Sequence, residues 1–177
     1  SINDTLVAED PITGLENIIA IRAIREDQFD ELSERADELE ARRDELNETE
    51  DSLLAGLNRT RNLTRAFAND TAGLEENSSA YRQREDELDR RIEALSDNVT
   101  ADLGYSSYET LAFRMKRYQL RLIELEREYG ANASDREAYR EAEDEIVRQY
   151  DFTRRILDVD FRQIGFEFRD LQDEFEE

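Results

Sequence analysis

Apolar residues recur at intervals of three and four positions along four segments of this 177-residue chain, with mostly polar residues between them. This spacing matches the period of about 3.6 residues of an α-helix with one apolar face. Such faces pack against one another as the seams of antiparallel helices. The seam positions are Phe29, Leu32, Ala36, Leu39, Leu46, Leu53 and Leu57 in the first segment, Tyr81, Leu88, Ile92, Leu95 and Val99 in the second, Tyr108, Leu111, Met115, Tyr118, Leu122, Leu125 and Tyr129 in the third, and Phe161, Ile164, Phe168, Leu171 and Phe175 in the fourth.

Start and stop signals divide the chain into four helices. Pro11 after Asp10 favours a helix start, and Gly130 is placed as a C-terminal stop. A Ser or Thr followed three residues later by Glu is the capping box that opens many helices, and such boxes occur at Thr13–Glu16, Ser106–Glu109 and Ser134–Glu137. The predicted helices span approximately residues 12–69, 78–100, 106–129 and 134–175.

The unequal lengths of these helices predict the architecture. Short turns make neighbouring helices antiparallel, so the two shorter helices reach only part of the way along the first. We therefore expect a single all-α domain over residues 1–177, an elongated antiparallel coiled coil with a four-helix bundle head and a two-helix stalk. The stalk is formed by approximately residues 12–40 and 155–177.

The stalk carries more apolar residues than two helices can cover, and Phe166 lies off the main seam. We expect this end to be buried against other copies, a partner or a membrane anchor outside these residues. The alternative is that the fourth helix folds back and covers the whole apolar surface within one chain. The predicted assembly interface consists of Ile18, Ile21, Ile24, Phe161, Ile164, Phe166, Phe168, Leu171 and Phe175.

Polar residues interrupt the seam of the first helix at Arg43, Glu50, Thr60 and Thr64. They are either polar groups satisfied within the seam or a solvated stretch. The functional alternative is control of helix register, because an imperfect seam discourages slipped pairings.

Asparagine is placed with unusual regularity. Eight of the nine asparagines open an Asn-x-Ser/Thr triplet, whereas the 18 Ser and Thr residues would give about one by chance. The triplet accepts N-linked glycans and predicts an extracellular, surface-exposed location. Asn47, Asn58, Asn62 and Asn69 fall within an arc of about 60° on the first helix, at about 100° per residue. The predicted glycosylation sites are Asn3, Asn47, Asn58, Asn62, Asn69, Asn77, Asn98 and Asn132.

The charge balance indicates a habitat. The chain has 46 acidic and 24 basic residues, a net charge of −22, and Lys116 is its single lysine. Acid excess with almost no lysine resembles proteins of extreme halophiles, particularly haloarchaea. Carboxylates keep such a surface hydrated and soluble, and molar salt screens their repulsion. An ordinary acidic coiled coil is the alternative. The charge also argues against nucleic acid and anionic membranes as partners.

The sequence lacks residues that several kinds of catalytic and metal-binding chemistry require. With neither histidine nor cysteine, most nucleophile–base pairs and transition-metal sites cannot be built. We expect no enzyme, no cofactor and no specific metal site. No apolar run approaches the length of about 20 residues that spans a bilayer. No signal peptide is visible, so Ser1 is expected to be a processed or trimmed start, with any leader or anchor outside these residues.

Three functions follow from these patterns. The first is a structural surface glycoprotein of a halophilic archaeon or its virus, a helical spike or filament subunit that forms a homo-oligomer or polymer through its stalk. The second is the extracellular sensing or partner-binding domain of a membrane-anchored receptor, similar to four-helix chemoreceptor ectodomains. The third, an intracellular coiled-coil scaffold, requires that the triplets are unused.

Overall fold

The chain is an all-α helical bundle. A computed structural model describes the backbone of residues 11–176 and the side chains of residues 25–176. Over that range it has four α-helices, one 3-10 helix and no strand. The α-helices are α1 (Pro11–Asp70), α2 (Ser79–Leu103), α3 (Tyr108–Tyr129) and α4 (Glu137–Glu176), and the 3-10 helix spans Gly130–Asp135. These bounds lie within three residues of the predicted ones.

The helix ends differ from the predicted capping pattern. The Ser106–Glu109 box is wrong, because α3 begins after Ser107, which makes no side-chain cap bond. The Ser134–Glu137 box is also wrong, because Ser134 lies inside the 3-10 helix. The described side-chain cap is on α2, where Ser78 Oγ accepts from the Tyr81 N–H at 3.2 Å. The Thr13–Glu16 box involves side chains outside the described residues.

Two glycines end helices through positive φ angles, which side chains rarely adopt. Gly104 has φ 73° and donates its N–H to the Thr100 carbonyl at the end of α2. Gly130 has φ 55° and donates to the Glu126 carbonyl at the end of α3. The stop predicted at Gly130 is confirmed.

The described chain divides into two compact units. The central unit spans Leu46–Asp160, and the terminal unit contains the residues up to Glu45 and those from Phe161 onward. The central unit therefore contains the C-terminal part of α1, all of α2 and α3, and the N-terminal part of α4.

Polar contacts between helices set the register of the central unit. The Tyr108 hydroxyl donates to the Leu53 carbonyl at 2.8 Å, which places the start of α3 beside α1. Lys116 Nζ lies 2.6 Å from Asp89 Oδ1 and links α3 to α2. Tyr150 of α4 donates to Asn58 of α1 at 2.6 Å. Each helix is thus joined to another by at least one polar contact.

The apolar core of the central unit follows the predicted seams. The fully or nearly buried members include Leu53, Leu57, Leu88, Ile92, Leu111, Met115, Leu122 and Leu125. Burying each such side chain contributes about 1.5–3 kcal/mol relative to leaving it exposed. The seam spacing therefore accounts for most of the core.

Polar side chains share this core. Thr60, Thr64, Ser96 and Thr153 have no exposed surface, and each donates its hydroxyl to the carbonyl four residues earlier in its own helix. Thr60 and Thr64 are thus satisfied within the seam rather than solvated. The side chains of Gln119 and Gln149 are also buried, and their Oε1 atoms have no hydrogen-bond partner among the described residues.

The terminal unit pairs the first part of α1 with the end of α4 in antiparallel order. Arg42 Nη1 lies 2.5 Å from Glu167 Oε2, and Arg35 Nη1 lies 2.8 Å from Glu174 Oε2. Its buried described side chains are Leu39, Ile164 and Leu171. The interface predicted at Ile18, Ile21 and Ile24 falls on side chains outside the described residues.

Candidate glycosylation surface and terminal apolar surface

All the asparagines predicted as glycan acceptors on α1 face solvent. Asn47, Asn58, Asn62 and Asn69 are exposed. Leu53, Leu57, Thr60 and Thr64 of the same helix are buried. At about 100° per residue, the middle of the asparagine row points roughly 140° away from the middle of this buried face. The row therefore lies on the side of α1 opposite the core of the central unit.

The remaining described acceptors also face solvent. Asn77 lies in the turn between α1 and α2, Asn98 lies near the end of α2, and Asn132 lies in the 3-10 helix. All three are exposed. Asn3 lies outside the described residues. Every sequence-predicted acceptor that the structure describes thus presents its amide to solvent.

The hydroxyl residues of these triplets fall into different environments. Thr60 and Thr64 have 0% exposure and Thr71 has 5%. Their hydroxyls are bonded to the carbonyls of Gly56, Thr60 and Phe67. Ser79 and Ser134 are exposed, whereas Thr49 and Thr100 are half-buried. In the α1 triplets at 58, 62 and 69, asparagine and threonine therefore face opposite ways.

Asn58 makes a contact that sequence patterns do not predict. Its Oδ1 accepts a hydrogen bond from the Tyr150 hydroxyl of α4 at 2.6 Å. An N-linked glycan is attached to the other atom of the amide, Nδ2. The contact with Tyr150 and a glycan at Asn58 are therefore compatible.

The predicted assembly residues on α4 divide by burial. Ile164 and Leu171 are covered within the terminal unit itself, so they are not part of a surface open to a partner. Phe161 and Phe168 are half-buried. Phe166 is 53% exposed and Phe175 is 43% exposed. Among the members of the predicted interface that the structure describes, the exposed ones are thus phenylalanines.

Phe29, which was predicted as a seam residue, contacts Phe175 of α4 and is largely exposed. It is 59% exposed, and its ring lies edge-on to that of Phe175 with 5.7 Å between centroids. Arg169 lies over the Phe166 ring at 5.9 Å. We call Phe29 and Phe175 the terminal apolar surface. Phe166 stands nine residues before Phe175 on the same helix, which is about 180° around α4, so it is a separate exposed ring.

Three features of the described residues concern metal sites, grooves and membrane-spanning helices. No cluster of three or more acidic side chains among residues 25–176 is arranged to hold a metal ion. Between α1 and α2, a groove of about 460 Å³ is lined by Leu63, Phe67, Leu88 and several charged residues. It is open to solvent and places no nucleophile beside a base. Among the described helices, none is both long enough and apolar enough to cross a membrane.

Comparison with known proteins gives no relative for this chain. No family model, no curated protein and no solved structure matches it.

Proposed function

We propose that this chain is an extracellular N-glycosylated structural protein of a halophilic archaeon or its virus. In this proposal it is a helical spike or filament subunit that assembles through its terminal unit. The observation that carries the proposal is the row of exposed Asn47, Asn58, Asn62 and Asn69 on α1.

The cost of these asparagines in a helix supports a role for them. Asparagine is a poor helix former, about 0.7 kcal/mol less favourable than alanine per residue. Most other described exposed positions of α1 are occupied by Glu, Asp, Arg or Ala. Glu, Arg and Ala are far better helix formers than asparagine, and Asp, which is as poor a helix former, supplies the negative charge of this surface. Four asparagines on the exposed face of one helix, each followed by a hydroxyl two residues on, therefore favour selection for the glycan acceptor rather than for the helix.

The distribution of charge supports the proposed habitat. The ion pairs of the terminal unit are exposed, with side-chain exposures of 46% and 48% for Arg35 and Glu174. Such pairs contribute at most about 1 kcal/mol in dilute solution and less in brine. A net charge of −22 with so few strong pairs favours a medium in which salt screens the carboxylates.

The terminal apolar surface and the separate exposed ring of Phe166 support assembly. Phe29, Phe166 and Phe175 are 59%, 53% and 43% exposed in a chain with 40% charged residues. High salt strengthens apolar association, whereas it weakens attraction between opposite charges. Phenylalanine is therefore a suitable contact residue for assembly in brine.

Glycosylation is tested by intact-mass and peptide mass spectrometry of protein from its natural source. We expect added sugar mass on several of Asn47, Asn58, Asn62 and Asn69. The control is the same chain produced in a bacterium without an oligosaccharyltransferase, which should have the mass of the bare sequence. Bare asparagines throughout the natively produced molecule would contradict the proposal.

Assembly is tested by sedimentation of the glycosylated chain in several-molar KCl. We expect oligomers or polymers for the natural sequence and a shift toward monomer for Phe166→Ser. The matched control is Val147→Ser, because Val147 is also exposed, at 55%, but lies in the central unit. A natural sequence that sediments as a monomer at all concentrations would rule out the structural role.

A further inference from the structure

We propose that Asn58, Asn62 and Asn69 accept glycans only while α1 is unfolded, whereas Asn77 and Asn132 remain acceptors on the folded protein. This inference rests on the proposed N-glycosylation and adds an order of events to it. It separates the predicted sites into two groups by the environment of the hydroxyl residue in each triplet.

The geometry of a helix creates the separation. Successive residues of an α-helix are rotated by about 100°, so residues i and i+2 lie about 200° apart. The acceptor triplet is defined by both its asparagine and its hydroxyl residue. An enzyme that recognises both must contact two opposite faces of a folded helix at once. When one face is packed in a core, this contact is sterically blocked.

Two triplets of α1 meet this condition fully. Asn58 and Asn62 are exposed, while Thr60 and Thr64 have 0% exposure. Both hydroxyl hydrogens are also engaged, at 3.0 Å to the Gly56 carbonyl and at 2.7 Å to the Thr60 carbonyl. A transferase could reach these hydroxyls only after α1 separates from the core and its helical turns open.

The triplet at Asn69 meets the same condition at the end of α1. Thr71 is 5% exposed, and its hydroxyl donates to the Phe67 carbonyl at 2.8 Å. The backbone N–H of Thr71 donates to the same carbonyl at 3.0 Å. The exposed asparagine is therefore followed by a threonine that is held against the last turn of the helix.

The triplets at Asn77 and Asn132 differ in both respects. Asn77 lies in the turn before α2, and Asn132 lies in the short 3-10 helix. Their hydroxyl residues, Ser79 and Ser134, are exposed together with the asparagines. Both parts of each triplet are therefore available on the folded surface. Thr49 and Thr100 are half-buried, so Asn47 and Asn98 lie between the two groups.

The separation has a consequence for export. If sugar is found on Asn58, Asn62 or Asn69, the chain was unfolded on the side of the membrane where the transferase acts. The mature chain could acquire those sugars afterwards only through local unfolding of α1, and therefore slowly. Glycosylation of α1 would thus come before packing of the central unit.

The test uses the full chain made without glycans and folded in high salt. The folded chain is incubated with a purified oligosaccharyltransferase and a lipid-linked oligosaccharide, and the occupancy of each site is followed by peptide mass spectrometry. We expect Asn77 and Asn132 to be modified. Asn58, Asn62 and Asn69 should react at least about tenfold more slowly, because only locally unfolded molecules present them.

An unfolded reference shows that the enzyme accepts every triplet. Leu57→Asp puts a charge at a position with 0% exposure, and loss of helical circular dichroism would verify that the core is disrupted. We expect this variant to be modified at Asn58, Asn62 and Asn69 as fast as at Asn77. The matched control is Ala55→Asp, because Ala55 is exposed on the same helix; it should keep the pattern of the natural sequence.

Equal rates at Asn62 and Asn77 on the folded chain would overturn the inference, and so would failure of the folded chain to react at Asn77 and Asn132. The proposed function is decided separately, by the protein from its natural source. Native chains without sugar would refute the proposed function while leaving the in vitro contrast intact. Equal rates in vitro, together with sugar on the native chain, would refute this inference while leaving the proposed function intact.

Discussion

Tyr108 occupies the space that a side chain on Gly56 would need. The ring of Tyr108 is 1% exposed, and its hydroxyl donates to the Leu53 carbonyl one turn before Gly56. A Cβ atom on Gly56 would lie 3.2 Å from Cζ of Tyr108 and closer still to its hydroxyl oxygen. Glycine in the middle of a helix costs about 0.5–1 kcal/mol relative to alanine, so here the close approach of α3 to α1 offsets that cost.

We expect Gly56→Ala to lower the free energy of unfolding by about 1–3 kcal/mol, because the added methyl group overpacks the core. Chemical unfolding followed by circular dichroism measures the change. The control is Gly165→Ala, since Gly165 is also helical but has nothing within 4 Å of its Cβ position. That substitution should raise the free energy of unfolding by about 0.5–1 kcal/mol. Equal effects at both glycines would contradict the steric explanation.

Because Tyr108 is buried, we expect the folded protein to lose stability in alkali. Burial raises the pKa of the Tyr108 phenol well above the ordinary tyrosine value of about 10, and neighbouring Tyr150 raises it further. Above pH 10 the phenol of the unfolded chain ionises, whereas that of the folded chain stays protonated. The unfolded state therefore becomes favoured, and the stabilisation present below pH 10 is lost as the pH rises toward the folded pKa.

Unfolding in denaturant between about pH 8 and pH 11 should show this loss, at up to about 1.4 kcal/mol per pH unit for one group. Tyr108→Phe removes the titrating group and should reduce the slope, although it lowers stability near neutral pH by about 1 kcal/mol through the lost hydrogen bond. Burial also raises the pKa of Tyr81, so some slope should remain. A Tyr108→Phe slope equal to that of the natural sequence would refute the assignment.

The unglycosylated chain should gain stability when one of the acceptor asparagines on α1 is replaced by alanine. Asn62→Ala is expected to raise the free energy of unfolding by about 0.5 kcal/mol, because alanine is the better helix former. Asn58→Ala should gain less or lose stability, since it also removes the acceptor for the Tyr150 hydroxyl. Comparing the two variants by chemical unfolding separates helix propensity from the contact with α4. A gain at Asn58 as large as that at Asn62 would show that this hydrogen bond contributes nothing.

Salt should stabilise the fold. The ion pairs Arg35–Glu174 and Arg42–Glu167 are exposed and are weakened by salt, but the repulsion of a net charge of −22 is weakened as well. Because exposed pairs contribute at most about 1 kcal/mol each, we expect the relief of repulsion to dominate. The melting temperature should rise steadily from dilute buffer to several-molar KCl. A falling melting temperature would contradict the halophilic interpretation.

Hydrophobic spacing predicted much of the fold because packing follows it directly. The α3 positions Leu111, Met115, Leu122 and Leu125 are all buried as predicted. Helix starts were less predictable, because three of the 18 Ser and Thr residues stand three residues before Glu, which is about the number expected by chance in so acidic a chain. The Ser106 box therefore resembled a cap that the structure does not form.

The polar part of the core was only partly predictable. Thr60 and Thr64 were placed in the seam by their spacing, and both are buried there. Gln119 is also buried, although it is not among the predicted seam positions of α3. A buried glutamine has no sequence signal of its own, because its burial depends on which helices surround it. Phe29 is the opposite case. Its spacing fits the seam and its ring contacts Phe175 of α4, yet it is 59% exposed, since periodicity cannot tell how much of a position the facing helix covers.

The exposure of the acceptor asparagines was predictable from helical register, but the burial of the threonines in their triplets was not. The register places Thr60 opposite Asn58, and only the arrangement of the neighbouring helices decides that Thr60 is fully covered. The Tyr150–Asn58 contact likewise joins residues 92 positions apart and depends on the pairing of α1 with α4.

The placement of Lys116 affects how the protein can be handled. Its ammonium lies 2.6 Å from Asp89, its side chain is only 14% exposed, and the chain contains no other lysine. Dyes, surfaces and crosslinkers that react with primary amines will therefore couple poorly to the described part of the molecule. Carbodiimide activation of its carboxylates is the better route for tagging or immobilising it.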